Sequence, residues 1–316
     1  MEDNAAPSCR AEFMKKLLAW LQASRLMSQP YILLPLLFGQ GLYVRHTGVW
    51  SIDLFMIGCC YSLLLQLYIV YANDYADEAV DKANTTFNVF SGGSRVLVEK
   101  KLTPQELRRG ILWTLVLSMM LALVTGIVYA RVGIIFFLLF SWGLLWAYSY
   151  PPFQLSYRGG GEWLQAIGVG IVLPLTGYYF QAGSLKVFPW VLLPFTVLLH
   201  FGAALVTTLP DEPSDRSGHK RTLAVRKGQI RVIRWIILLY GMSFFMVFVW
   251  ILVFARSPRV FALSIFPALL AYMGLCWIRS EPVPGLQAMN WFVGLGVATV
   301  VLLMAGLCIM LWFFSG

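Results

Sequence analysis

The chain has 316 residues, of which 59% are hydrophobic and only 12% charged, with a net charge of +9. Soluble domains carry about 25% charged residues, so the composition excludes a soluble enzyme and specifies an all-α polytopic membrane protein. In such a chain a positive excess reports topology and anionic lipid, not a nucleic-acid partner.

Residues 1–28 read as an N-terminal tail and an amphipathic surface helix. The helix spans 11–26, where Lys15, Lys16 and Arg25 are interleaved with Phe13, Leu17, Leu18, Trp20 and Leu21, a pattern suited to the plane of a membrane surface. The polar start does not resemble a cleavable signal peptide. Residues 29–316 form a single domain with nine apolar runs, at 29–45, 53–75, 110–130, 132–149, 162–183, 188–209, 232–255, 259–278 and 289–314. Each approaches the roughly 20 residues that cross a bilayer. With the N-terminus in the cytoplasm, 19 of the 24 lysines and arginines fall on the cytoplasmic side, and the positive-inside rule favours that orientation. The expected location is a multi-pass protein of the cell membrane, the inner membrane in a bacterium. Cys9, Cys59, Cys60, Cys276 and Cys308 lack metal-type spacing and read as small core residues, not as a disulfide framework.

Seven of the 15 acids occupy two short stretches. Asp74, Asp77, Glu78 and Asp81 lie at the end of the second run, and Asp211, Glu212 and Asp215 at the end of the sixth. Asn73, Asp77 and Asp81 share one helix face with Asp74 beside it, and Gln66 extends the polar stripe inward. Acids at a helix end are ordinarily just solvated, but carboxylates stacked four apart without basic partners repel one another. An intervening cation removes that repulsion, and the hard, oxygen-seeking candidate is Mg²⁺. Asp211 and Asp215 taken alone are ordinary loop acids. Their Asp-x-x-x-Asp spacing repeats that of Asp77 and Asp81, again after an even-numbered run and before a basic loop. Together the two stretches can hold two divalent ions that bridge a diphosphate.

Both acidic stretches are followed by candidate anion binders. Ser91-Gly92-Gly93-Ser94-Arg95 offers backbone amides and a guanidinium, and Lys220 and Arg221 follow the second stretch. Arg226, Lys227, Arg231 and Arg234 read as topology charges. His200, deep in the sixth run, reads as a neutral hydrogen-bonded core histidine, although an intramembrane ionisable group is a functional flag.

Four stretches carry a family resemblance: Asn73 to Asp81, Ser91 to Leu97, Tyr148-Ser149-Tyr150-Pro151-Pro152-Phe153, and Asp211 to Arg226 with Gly218-His219-Lys220-Arg221 inside it. They resemble the UbiA-type intramembrane prenyltransferases, and within these the dihydroxynaphthoate polyprenyltransferases of menaquinone synthesis. The resemblance implies a bundle of nine helices around a central cavity, with two Mg²⁺ held by Asn73, Asp74, Asp77, Asp81, Asp211 and Asp215. It implies transfer of a polyprenyl group from an allylic diphosphate to an aromatic acceptor on the cytoplasmic face. Asp77, Asp81, Asp211, Asp215 and Tyr150 are then the catalytic candidates, and Ser94, Arg95, Lys220 and Arg221 the diphosphate binders. Tyr148, Tyr150, Arg158, Glu162 and Gln66 are candidates for stabilising the carbocation or placing the acceptor. For Glu162, a favourable acid at a helix N-terminus explains the residue equally well.

Two features depart from the family pattern. Thr207 and Thr208 stand where an Asn or Asp often precedes the second motif. Gln154 stands where many members carry a Lys four residues after the tyrosine at position 150, with Arg158 as a substitute. Other readings are prenylation of homogentisate or hydroxybenzoate, prenyl diphosphate cyclisation, and, outside enzymes, a cation transporter. Nothing in the sequence calls for a protein partner.

Overall fold

The computed structural model describes residues 9–85, 87, 92–254, 258–278 and 282–313. The tail at 1–8, Ser91, Arg256 and Arg279 lie outside the described residues. Those described form helices and connecting turns, without a strand among them. In order these are α1 (Cys9–Ala23), α2 (Gln29–Thr47), α3 (Ile52–Ala83), α4 (Pro104–Val128), α5 (Gly133–Ser149), α6 (Leu155–Arg158), α7 (Gly161–Ile167), α8 (Leu173–Ala182), α9 (Leu193–Thr208), α10 (Glu212–Ser217), α11 (Leu223–Lys227), α12 (Gln229–Phe254), α13 (Pro258–Trp277) and α14 (Gln287–Phe313). A π-helical turn, Gly168–Val172, joins α7 to α8 in one continuous helix.

Each apolar run of the sequence falls on one of these helices. Among the described residues, six helices are long and apolar enough to cross a membrane: α3, α4, the α7–α8 unit, α9, α12 and α14. Helix α5 and the Leu263–Trp277 part of α13 are apolar but shorter. Large hydrophobic side chains face outward on the long helices, among them Trp113, Ile127, Phe245 and Leu252. Apolar surface this extensive is what lipid covers.

Local chemistry sets the helix ends. Thr103 and Glu106 form a reciprocal capping box at the start of α4, with Pro104 in the first turn. Ser51 accepts from the Leu54 amide and starts α3. Helix α3 then runs 32 residues, about 48 Å at 1.5 Å per residue. That exceeds the roughly 30 Å hydrocarbon thickness. The helix therefore continues past the expected second run and carries the first acidic motif on its last turns.

Glycines allow α2 and α8 to touch backbone to backbone. A Cβ on Gly177 would fall 1.9 Å from Leu36 O, and one on Gly39 2.0 Å from Pro174 O. Small residues serve this purpose in membrane bundles. Gly177→Ala is therefore expected to cost about 1–3 kcal/mol or more through overpacking. Gly143→Ala, where a Cβ meets nothing within 4 Å, should leave the melting temperature in detergent unchanged. Equal melting of the two variants would refute the close-packing account.

Helix α1 docks on α3 and α4 through Ala19, Ala23 and Trp20, whose ring meets Tyr71 edge-on at 5.4 Å. Phe13 and Leu18 on the same helix stay exposed. The chain then turns at Arg25, which has φ 42.

Candidate active site

The two acidic motifs meet at one end of the bundle. Asn73, Asp77 and Asp81 line one face of α3, and Asp211 and Asp215 flank the start of α10. Asn84, at the end of α3, continues the same face one turn further and donates to Asp211 Oδ1 at 2.9 Å. Residues far apart in sequence are thus in direct contact.

Between the motifs stands Lys220. It is only 9% exposed, and its Nζ lies 3.1 Å from Asp77 Oδ2 and 3.7 Å from Asp215 Oδ1. The Tyr157 hydroxyl donates to Asp77 Oδ1 at 3.0 Å, and the Tyr157 ring lies beneath the ammonium, 4.9 Å from Nζ to centroid. Burial opposes the charge on Lys220, but Asp77 and Asp215 outweigh it and hold the lysine above its ordinary pKa. Burial pushes the Asp215 carboxyl up to about 7; Lys220 pulls it down, while Asp211 and Asp77 push it up.

The loop that carries Lys220 is tied at several points. The Lys220 amide donates to Asp215 O and the Arg221 amide to Tyr157 O, both at 2.8 Å. His219 adopts φ 59, which turns the chain sharply after α10. Glu162, 3% exposed, accepts from the Leu223 amide at 2.6 Å and anchors the start of α11 to α7. An unpaired buried carboxylate would be costly; here the orphan amide of a helix N-terminus satisfies it.

The other expected residues are placed as follows. Asp74 pairs with Arg25 and accepts from the Ser94 amide at 3.3 Å. Ser94 O in turn accepts from Gln22 Nε2 at 2.7 Å. Asp81 packs against Gly93, where a Cβ would fall 2.0 Å from its Oδ2. Arg95 donates to Asp81 O at 3.0 Å and lies 3.9 Å over the Phe87 ring. The Tyr150 hydroxyl donates to Ala72 O at 2.8 Å, beside Asn73. Tyr148 lies against Gly161 and within the electrostatic reach of Lys220, Asp77, Glu162 and Asp215. Gln66 donates to Ser28 Oγ on the α1–α2 connection. Arg158 and the Arg221 side chain are exposed. Glu212 is engaged by Arg216 and Gln229.

The donor chemistry fits a hard divalent cation. The candidate ligands are all oxygens, and Asn73 Oδ1 is buried with no hydrogen-bond partner, which calls for an electrophile beside it. Among the described residues, no three His, Cys, Asp or Glu side chains already converge on one point. Mg²⁺ typically takes one or two carboxylates and completes its shell with water and substrate phosphate, so spaced carboxylates suit an ion delivered with a diphosphate.

A model of the UbiA prenyltransferase family matches residues 32–295. The chain belongs to this family. It is a prenyltransferase, and the transporter reading is set aside. The 1,4-dihydroxy-2-naphthoate octaprenyltransferase of Escherichia coli strain K12 is 27% identical over 224 residues, covering 69% of this chain and 71% of that protein. The protein of the same name from Mycobacterium leprae is 25% identical over 213 residues, 66% of this chain and 69% of its own. A UbiA homologue from Archaeoglobus fulgidus, solved with GPP and Mg²⁺, shares the fold, with a TM-score of 0.68 at 16% identity over 91% of this chain and 98% of that one.

Three residues of this candidate site were not anticipated from sequence. Asn84 was legible, because it extends the Asn73–Asp77–Asp81 face by one more turn. Tyr157 and Arg25 carried no sequence signal; only the fold brings them to Asp77 and Asp74.

Proposed function

We propose that this prenyltransferase moves a polyprenyl group from an allylic diphosphate to a hydroxylated aromatic acceptor, with 1,4-dihydroxy-2-naphthoate as the acceptor that its relatives' names favour. The supporting observation is the meeting of both acidic motifs around the buried ammonium of Lys220. A buried cation flanked by carboxylates at the end of the bundle suits a diphosphate. In this reading Asn73, Asp77, Asp81, Asp211 and Asp215 would hold two Mg²⁺, which supply neutralisation of the leaving diphosphate. The bundle spans the membrane nine times, its N-terminus and this site lie on the cytoplasmic side, and the prenyl chain extends between the helices.

The residues of the chain then have distinct tasks. Lys220 offers ammonium hydrogens as the allylic carbon–oxygen bond breaks and its electron pair passes to the diphosphate. Tyr157 fixes the Asp77 carboxylate through its hydroxyl. The faces of Tyr148 and Tyr150 stabilise the allylic cation, at about 0.5–2 kcal/mol for such a contact. A ring carbon of the acceptor forms the new bond, and the ring loses a proton or its carboxylate. Asp74 holds Arg25 and Ser94, which shapes the Gly92–Arg95 turn. Glu162 holds the Lys220 loop through Leu223 and thereby positions the ammonium.

Tyr157→Phe removes one hydrogen bond to a charged group and is expected to lower kcat/KM about tenfold, read by product formation at fixed donor concentration. Unchanged turnover would confine this tyrosine to packing. The reading as a whole is tested by incubating the protein in lipid with Mg²⁺, a polyprenyl diphosphate and 1,4-dihydroxy-2-naphthoate, followed by mass spectrometry. A prenylated naphthoquinol that disappears with EDTA is the expected product. Diphosphate release without it would move the reaction to another aromatic or to cyclisation, and no release with any donor would overturn the proposal.

A further inference from the structure

Helix α9 carries a histidine that the diphosphate end of the site does not use. His200 is fully buried in α9, the helix that precedes the second acidic motif. Its Nδ1 lies 2.7 Å from Thr196 O. A carbonyl oxygen only accepts, so Nδ1 carries the hydrogen. An imidazolium buried with no counter-ion is costly, so the ring is neutral and Nε2 presents a bare lone pair. That Nε2 is buried with no hydrogen-bond partner, an arrangement that calls for an explanation in a folded protein.

The surroundings suit a flat, hydroxylated ring. The Tyr31 ring stands 5.5 Å from the imidazole, tilted by 58°. The Tyr31 hydroxyl accepts from Gln165 Nε2 at 3.2 Å and so keeps its own hydrogen to donate. The backbone here is irregular for a reason. The π-helical turn Gly168–Val172 presses on α9, where Thr196 Oγ1 donates to Gly170 O at 2.6 Å and a Cβ on Gly170 would fall 2.8 Å from Thr196 O. Such turns concentrate at functional positions, and this one clamps the residue whose carbonyl sets the tautomer of His200. Tyr148 stands near both regions, close to Lys220 and Asp77 on one side and to Tyr31 on the other.

We propose that His200, Tyr31 and Gln165 form the acceptor subsite, in which His200 Nε2 accepts the hydrogen of a ring hydroxyl. This rests on the aromatic-acceptor reading above. The hydrogen bond draws the hydroxyl hydrogen away from oxygen and raises electron density on the ring carbon that attacks. No proton changes owner in this contact. Tyr31 supplies a second contact, donating its hydroxyl hydrogen to a ring substituent such as a carboxylate.

The test compares wild type with His200→Asn in lipid, using 1,4-dihydroxy-2-naphthoate, 2-naphthoate (which lacks the hydroxyls) and Mg²⁺ with geranyl diphosphate as three separate binding probes. Asparagine can keep an N–H toward Thr196 O while removing Nε2. The expected result is about tenfold weaker binding of the dihydroxy compound, the size of one lost buried hydrogen bond, with 2-naphthoate and geranyl diphosphate within about twofold of wild type. His200→Gln, which returns an acceptor near the Nε2 position, should recover part of the loss. Equal weakening of both aromatics, or no weakening, overturns the subsite and leaves the prenyl-transfer reading intact. A wild-type protein that binds geranyl diphosphate but neither aromatic would overturn the aromatic-acceptor reading together with this one.

Discussion

A Lys220→Met protein is expected to lose prenyl transfer by about two to three orders of magnitude, the range found when one preorganised donor to a developing anion is removed. The side chain is nearly isosteric, so its volume is kept while its charge is removed. Asp77 and Asp215 then face one another without the ammonium that lies 3.1 Å and 3.7 Å from them. Breaking a buried charge pair by removing one partner typically costs about 3–5 kcal/mol. The Asp215 carboxyl, already pushed up to about 7 mainly by burial, also loses the neighbour that pulls it down and becomes more readily protonated. The loss should appear in kcat/KM with either substrate varied, together with a lower melting temperature in lipid. The opposite result is equally informative. If Lys220 only fills the space that Mg²⁺ takes in the working enzyme, the methionine variant would bind the ion more tightly and keep its turnover.

Asp77→Asn and Asp211→Asn should each reduce Mg²⁺-dependent turnover to background, a drop of about a thousandfold or more if each carboxylate supports a metal that neutralises the leaving group. The two substitutions disturb different contacts. At Asp77 the amide oxygen can still accept from Tyr157, so the hydrogen bond at 3.0 Å survives while the charge is lost. At Asp211 one partner is Asn84, 2.9 Å away, and an amide facing an amide can retain one hydrogen bond. Both variants are therefore expected to fold. Measuring Mg²⁺-dependent geranyl diphosphate binding beside turnover separates lost ion binding from lost chemistry. Retained turnover in either variant would remove that aspartate from the ion bridge.

Some of this site was legible in the sequence because it depends on local periodicity. Four-residue spacing puts Asn73, Asp77 and Asp81 on one face of any helix, and α3 realises that face without a break. Other roles depend on partners that spacing does not encode. Asp74 and Gln66 look like members of the same polar stripe, yet the first pairs with Arg25 and the second donates to Ser28. Both partners come from the connection between α1 and α2. Glu162 is the acid of a helix N-terminus, but the amide it satisfies belongs to α11 and not to its own helix. The lysine missing at position 154 prompted Arg158 as a substitute. Arg158 is exposed, and the buried ammonium is supplied by Lys220, which stands over the ring of the neighbouring Tyr157.

By itself the sequence determined the membrane class, the apolar runs that became helices, and the two acidic motifs. Those properties follow from composition and from the 3.6-residue period, which any stretch of chain expresses locally. The tertiary structure alone decided that the two motifs meet across Lys220, that Tyr157 joins them, and that His200 keeps an unpaired nitrogen beside Tyr31. These are contacts between segments far apart in the chain. They are set by which helix faces pack together, and neither hydropathy nor spacing carries that information.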